Sequence, residues 1–126
     1  MICPKCDGDM ETKEHGDGNS MQRCTKCYGL FMEDYVLARM RDEFMVETFL
    51  DIGSATLGKK FDKIDDIQCP LCKVQMDKIV DPEQTHIWME SCPGCDRIFL
   101  DAGEFTDLKY NTLSDKFKAL LKGKRK

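Results

Sequence analysis

The sequence predicts a small α+β protein built from one unit used twice, and three observations carry that expectation. The chain has 126 residues, enough for one ordinary domain or two very small ones. All eight cysteines fall in C-x-x-C pairs: Cys3/Cys6, Cys24/Cys27, Cys69/Cys72 and Cys92/Cys95. The pairs also repeat, since Cys69 follows Cys3 by 66 residues and Cys92 follows Cys24 by 68. Other residues keep the same offsets. Met10 answers Met76, Met21 answers Met89, and Leu30-Phe31-Met32-Glu33 answers Ile98-Phe99-Leu100-Asp101. A fixed internal period of this kind marks a duplicated structural unit.

Each unit reads as a β-hairpin between two cysteine turns, followed by a third short strand. In the first copy the hairpin turn is Gly16-Asp17-Gly18-Asn19, and the third strand is Leu30-Phe31-Met32. In the second copy Met76, Lys78 and Val80 lead into the turn Asp81-Pro82-Glu83-Gln84. The return strand, His86-Ile87-Trp88-Met89-Glu90, is rich in strand formers. Ile98-Phe99-Leu100 is its third strand.

A helix is expected after each hairpin unit. Over 36–50, Leu37, Met40, Phe44 and Phe49, with Val36 and Met45 beside them, form a wide apolar stripe. After the second unit, Asp101-Ala102-Gly103-Glu104 has the form of a capping box, with Asp101 at the N-cap and Glu104 at N3. The run continues to Leu113, Phe117, Leu120 and Leu121, one helical face. In the first copy Leu37 stands where a capping-box glutamate would, so that box is absent. Residues 51–66 have no clean period and read as a linker that Phe61 and Ile64 can anchor. The expected organisation is therefore unit 1 over 1–35, a helix over 36–50, a linker over 51–66, unit 2 over 67–101, and a helix with a basic tail over 102–126.

The cysteine spacing points to metal. Each copy reads C-x2-C-x17-C-x2-C or C-x2-C-x19-C-x2-C, and zinc sites place about 15–20 residues between such pairs. Two cysteines two residues apart sit on one tight turn with both sulfurs facing one point. Two such turns complete a tetrahedron of thiolates around Zn²⁺, with Zn–S about 2.3 Å and no open position. Each unit is then a three-stranded zinc ribbon, and the chain takes two zinc ions. Iron fits the same sulfur ligands. A disulfide framework suits secreted proteins, and this chain begins without the basic and apolar regions of a signal peptide, so a cytoplasmic location is expected. A redox pair of the thioredoxin kind needs one C-x-x-C in a βαβ setting rather than four matched pairs. A three-stranded ribbon buries too little apolar surface to fold alone. Structural zinc contributes about 10–16 kcal/mol in zinc-finger peptides, so metal becomes a condition of folding.

These residues resemble the TFIIB-type zinc-ribbon family, which reads Cys-Pro-x-Cys, a hairpin, Cys-x-x-Cys-x-Gly, an aromatic–aliphatic pair and Asp-x-Gly-Glu. The second copy is the closer match, through Cys69-Pro70-Leu71-Cys72, Cys92-Pro93-Gly94-Cys95, Phe99-Leu100 and Asp101-Ala102-Gly103-Glu104. Arg97 departs from the family's frequent glycine. The first copy keeps its cysteines and Tyr28-Gly29-Leu30-Phe31, but has Glu33-Asp34-Tyr35-Val36 in place of Asp-x-Gly-Glu. The resemblance spans 2–36 and 68–107. It implies a metal ribbon; ribbons of this type serve transcription factors, polymerase subunits, ribosomal proteins and adaptors, so it implies no single function.

Composition narrows the classes. Net charge is −4, which argues against coating nucleic acid with the whole surface. No apolar run approaches the ~18 residues of a membrane span. Asp101 and Glu104 read as a helix cap rather than catalytic carboxylates, and no nucleophile or small-molecule site accompanies them. His15 and His86 read as hairpin residues, since four thiolates already complete each shell. Trp88 reads as covering a core edge, with stacking on a base or partner as the functional alternative. Lys116, Lys118, Lys122, Lys124, Arg125 and Lys126 form a basic tail with no acid. It suits a helix C-terminus and equally a contact with nucleic acid or an acidic partner. The sequence thus favours a non-enzymatic protein-interaction or adaptor module, with a protein partner or self-association through the apolar helix faces. Nucleic-acid binding through the tail, Trp88 and the ribbon faces is the alternative. A redox- or zinc-responsive switch is third.

Overall fold

Short runs of strand-forming residues beside the cysteine turns build the strands, and those that follow the second pair of each copy carry a continuous apolar run. A computed structural model describes residues 1–16, 18–43, 45–62, 64, 66–80 and 88–109. The strands are β1 (Met10–Glu14), β2 (Ser20–Cys24), β3 (Leu30–Glu33), β4 (Asp77–Val80), β5 (Trp88–Ser91) and β6 (Arg97–Leu100). Helices α1 (Asp34–Arg41), α2 (Glu47–Leu50) and α3 (Ala55–Asp62) lie between β3 and β4. A further helix, α4, covers 104–109.

The two hairpin units do not form separate sheets. All six strands join one antiparallel sheet in the order β1-β2-β3-β6-β5-β4. The junction is β3 against β6, with Leu30 opposite Leu100, Phe31 opposite Phe99 and Met32 opposite Ile98. Phe31 and Phe99 are equivalent residues of the two copies, so the duplicated units face each other about a pseudo-twofold axis at that pair. The sequence predicts two tandem three-stranded ribbons; each unit does contribute three strands, but the two triplets share one sheet. The physical reason is burial on both faces. Leu30, Phe31, Met32, Phe99 and Leu100 are all at most 2% exposed. A strand apolar on both sides belongs in the middle of a covered sheet, not at its edge.

The sheet separates two cores. On one face Leu30, Met32, Ile98, Leu100, Met21 and Met89 pack with Val36, Leu37 and Met40 of α1, with Val46 and Leu50, and with Phe105 and Leu108 of α4. On the other face Phe31 and Phe99 pack with Met10, Ile67, Met76 and buried cysteines of both copies, with Phe61 of α3 against them. Helices thus cover one face, and the cysteine turns and α3 cover the other.

The single helix expected over 36–50 is broken. α1 ends at Arg41, and Met45 takes the left-handed conformation with φ 62° before α2 begins. In an unbroken helix Val46 lies six residues, about 240°, past Met40 and points off the buried face. The break turns Val46 and Leu50 back into the core, which offsets the roughly 1–2 kcal/mol of a non-glycine left-handed residue. Val36, Leu37 and Met40 of the stripe are covered by the chain's own sheet, Tyr35, Met45 and Phe49 are exposed, and Phe44 lies outside the described residues. Within 51–66, α3 is ordered by close approach to the second unit. A Cβ on Gly58 would lie 1.8 Å from the Ala102 carbonyl oxygen, so only glycine fits. Phe61 anchors the segment, whereas Ile64 is 38% exposed. Leu113, Phe117, Leu120, Leu121, His86 and the basic residues Lys116, Lys118, Lys122, Lys124, Arg125 and Lys126 lie outside the described residues. Among the described residues no helix is long and apolar enough to cross a membrane.

Candidate metal centres

Each C-x-x-C pair forms the same turn. The first cysteine's amide donates to a carbonyl five residues on: Cys3 to Gly8, Cys24 to Gly29, Cys69 to Val74 and Cys92 to Arg97, at 2.8–3.0 Å. The residue after each second cysteine, Asp7, Tyr28, Lys73 or Asp96, has φ between 59° and 61°. That left-handed residue reverses the chain and sends it into a strand or loop. Backbone amides point at the leading sulfurs: Cys27 to Cys24 Sγ and Cys72 to Cys69 Sγ at 3.4 Å, and Gly94 to Cys92 Sγ at 3.3 Å. Such N–H groups favour thiolate over thiol.

The fold closes these turns into two groups. Cys3, Cys6, Cys24 and Cys27 form one and Cys69, Cys72, Cys92 and Cys95 the other, with every sulfur in a group within 4.8 Å of the rest. Cys3 and Cys27 sulfurs are 3.7 Å apart, Cys6 and Cys24 3.3 Å, and Cys69 and Cys95 3.7 Å. A tetrahedron with Zn–S of about 2.3 Å has edges of about 3.8 Å, so the donor set fits a four-coordinate metal. All eight thiols are free of disulfides. His15 belongs to neither group; its ring stands 5.9 Å from that of Phe49.

Four sulfurs this close cannot all ionise without a cation among them. Cys3 is drawn down to about 5, chiefly because it accepts a hydrogen bond from Cys27. The same contact pushes Cys27 up. Burial, then Cys24, raises Cys6 to about 11. In the second group the Cys95 contact raises Cys72 to about 12, and burial raises Cys69. Burial alone would raise Cys95 too, but hydrogen bonds from Arg97 bring it down to about 7. A bound dication removes this competition by compensating all four thiolates at once.

Beside the first group sits a feature that sequence reasoning missed. Lys5, between the first two cysteines, is fully buried, with its ammonium 2.8 Å from Glu90 and 2.7 Å from Asp101 of the second copy. It also donates to the Phe61 carbonyl at 3.3 Å and lies 5.6 Å from the Phe99 ring centre. Burial would lower the Lys5 pKa, but Asp101 and Glu90 more than offset it and hold it above its ordinary value. Burial lifts Glu90 to about 7 despite Lys5. The equivalents of Lys5, Glu90 and Asp101 in the other copy are Leu71, Gln22 and Glu33, so the ion triad exists on one side of the pseudo-axis only.

The triad changes the predicted helix cap. Glu104 accepts from the Asp101 amide, which is half of a capping box. The Asp101 carboxylate is turned to Lys5 instead of the helix. Asp51, remote in sequence, caps α4 in its place, accepting from the amides of Gly103 and Thr106 at 2.8 and 2.9 Å and from the Thr106 hydroxyl at 2.7 Å. A second buried pair, Lys109–Glu47 at 3.0 Å, ties α4 to α2. Trp88 stands outside both cores, 41% exposed, with the Lys78 ammonium 5.7 Å from its ring centre. That corrects its expected place at the core edge: Met89 faces the core and Glu90, two residues on from Trp88, is buried against Lys5, so Trp88 is the exposed end of β5.

Comparison with models of known protein families, with curated proteins and with solved structures finds no match to this chain. The resemblance to the TFIIB-type ribbons therefore rests on the motif residues themselves.

Proposed function

We propose that this is a zinc protein with two structural four-cysteine ribbons that works in the cytoplasm as a non-enzymatic interaction module. The observation that carries the reading is the pair of four-sulfur groups, each with spacings close to a ZnS₄ tetrahedron. Cys3, Cys6, Cys24 and Cys27 would hold one ion, and Cys69, Cys72, Cys92 and Cys95 the other. Zinc is preferred to iron as the commonest occupant of closed four-thiolate ribbons, and it needs no redox partner. A full thiolate shell leaves no position for substrate, so the metal's part is to hold the turns. The two units share one sheet, and Met45, Phe49 and Ile52 stand exposed on and beside α2, which supports a surface offered to a protein partner.

The first test is metal content. Protein purified without added metal is expected to carry two zinc ions per chain by elemental analysis and native mass spectrometry; iron, or no metal, overturns the assignment. The second is a pull-down from the protein's own cells, split so that one half is treated with nuclease before washing. Protein partners that survive nuclease support the module reading. Partners that vanish together with recovered DNA or RNA overturn it in favour of a nucleic-acid contact through residues 116–126.

A further inference from the structure

The two sulfur groups are built alike but covered differently. In the first, Cys3, Cys24 and Cys27 are buried and Cys6 is half-buried; in the second, Cys69 and Cys92 are buried, Cys95 is half-buried and Cys72 is exposed. Cys72 is the pseudo-symmetric equivalent of Cys6, so the difference has to come from neighbours that break the symmetry.

Two neighbours do so independently. The residue between the first pair's cysteines is Lys5, locked to Glu90 and Asp101. Its counterpart between Cys69 and Cys72 is Leu71, which is 48% exposed and borders an open groove with Gln22, Glu33 and Arg97. The turn 3–6 is thus pinned to the opposite unit by buried charge, and the turn 69–72 is not. The second neighbour is the residue just before the last cysteine of each copy. In the first copy it is Lys26, whose side-chain stem lies over Gly8. In the second it is Gly94, which has no side chain at the point where a Cβ would lie 3.4 Å from Cys72 Sγ. Lys26 and Gly94 are true equivalents, since each amide points at the sulfur two residues before it, Cys24 or Cys92.

From this asymmetry, and resting on the two-zinc reading above, we propose that the sites are unequal: the first is locked and structural, and the second is exchangeable, with Cys72 the sulfur that thiols and chelators in solution reach first. Exchange is a ligand substitution. An incoming thiol forms a new Zn–S bond as its thiolate while the Zn–S bond to Cys72 breaks, the proton given up by the incoming thiol passes to the departing Cys72 thiolate, and no oxidation state changes. The second ribbon can then pass its ion to a thiolate-bearing acceptor or respond to free zinc while the first keeps the sheet assembled.

The test uses the full chain, first weighed by native mass spectrometry and then pulsed with N-ethylmaleimide and mapped by peptide. The expected result is two zinc ions at the start, then modification of Cys72 ahead of Cys6 by on the order of tenfold, with loss of one ion while Cys3, Cys24 and Cys27 stay unmodified. The Gly94→Lys variant is expected to slow labelling of Cys72 toward the rate of Cys6, because its Cβ fits at ordinary contact distance. The Lys26→Gly variant is expected to speed labelling of Cys6. Equal labelling of the two groups, earlier labelling of the first, or a two-zinc Gly94→Lys protein with unchanged Cys72 reactivity overturns the proposal. Absence of zinc from the starting protein refutes the metal reading itself, and the opening mass measurement separates that failure from the others.

Discussion

Replacing Lys5 with methionine removes one ammonium and leaves two buried carboxylates facing the gap. Methionine keeps the length and apolar stem, so packing against Phe99 is largely preserved and the change is mainly electrostatic. Breaking a buried ion pair by removing one partner costs about 3–5 kcal/mol. Lys5 serves two partners, at 2.8 and 2.7 Å, but the loss does not double. Burial already lifts Glu90 to about 7, so without Lys5 it takes up a proton at neutral pH at little cost, and the main loss is the ion pair between Lys5 and Asp101. The expected loss near neutrality is therefore about 3–5 kcal/mol. Its pH dependence has a definite sign. An acid whose folded pKa lies above its ordinary 4.5 stabilises the fold below that value and loses the contribution as pH rises through the folded pKa. Lys5→Met raises the folded pKa further, so the deficit grows with pH above neutrality. The assay is urea unfolding of the zinc-loaded proteins at fixed zinc, followed by circular dichroism. Adding Glu90→Gln to Lys5→Met is expected to cost less than the sum of the two single changes. A loss below about 1 kcal/mol, the worth of an exposed surface pair, or strict additivity in that cycle would refute the buried triad.

Other expectations follow from the same geometry. Stripping metal with a strong chelator should abolish the strand signal in circular dichroism, since structural zinc supplies about 10–16 kcal/mol in zinc-finger peptides; a metal-free chain with an intact sheet would contradict this. Asp51→Ala should destabilise by about 1–2 kcal/mol through loss of the α4 cap, read as faster amide exchange over 103–108, and Asp51→Asn should recover part of it. Gly58→Ala should cost about 1–3 kcal/mol or more by overpacking, because its Cβ would collide with the Ala102 carbonyl oxygen; an unchanged melting temperature would show that α3 does not sit against that loop.

Much of this was legible in the residues. The four C-x-x-C pairs and their offsets of 66 and 68 identify the duplicated unit, the hairpins and both sulfur groups, because ligand spacing is a local property of tight turns. Leu-Phe-Met and Ile-Phe-Leu also held a signal of the joined sheet. Three consecutive apolar residues have no place on the edge of a small sheet, and their burial on both faces is what joins β3 to β6. The break at Met45 was not legible. No proline or glycine marks it, and it follows from where Val46 and Leu50 must point. The helix cap was half legible: Glu104 does what its position predicts, while Asp101 is diverted to a lysine 96 residues away.

By itself the sequence determined the repeating unit and the donor set, since cysteine chemistry and turn geometry act over a few residues. Only the tertiary structure decided how the copies relate. The pseudo-axis at Phe31 and Phe99, the burial of Lys5 between two carboxylates, the capping of α4 by Asp51 and the exposure of Cys72 beside Gly94 all depend on groups distant in the chain. Burial turns such contacts into strong constraints, because a charge or polar group shut away from water must find its partner wherever the fold brings one.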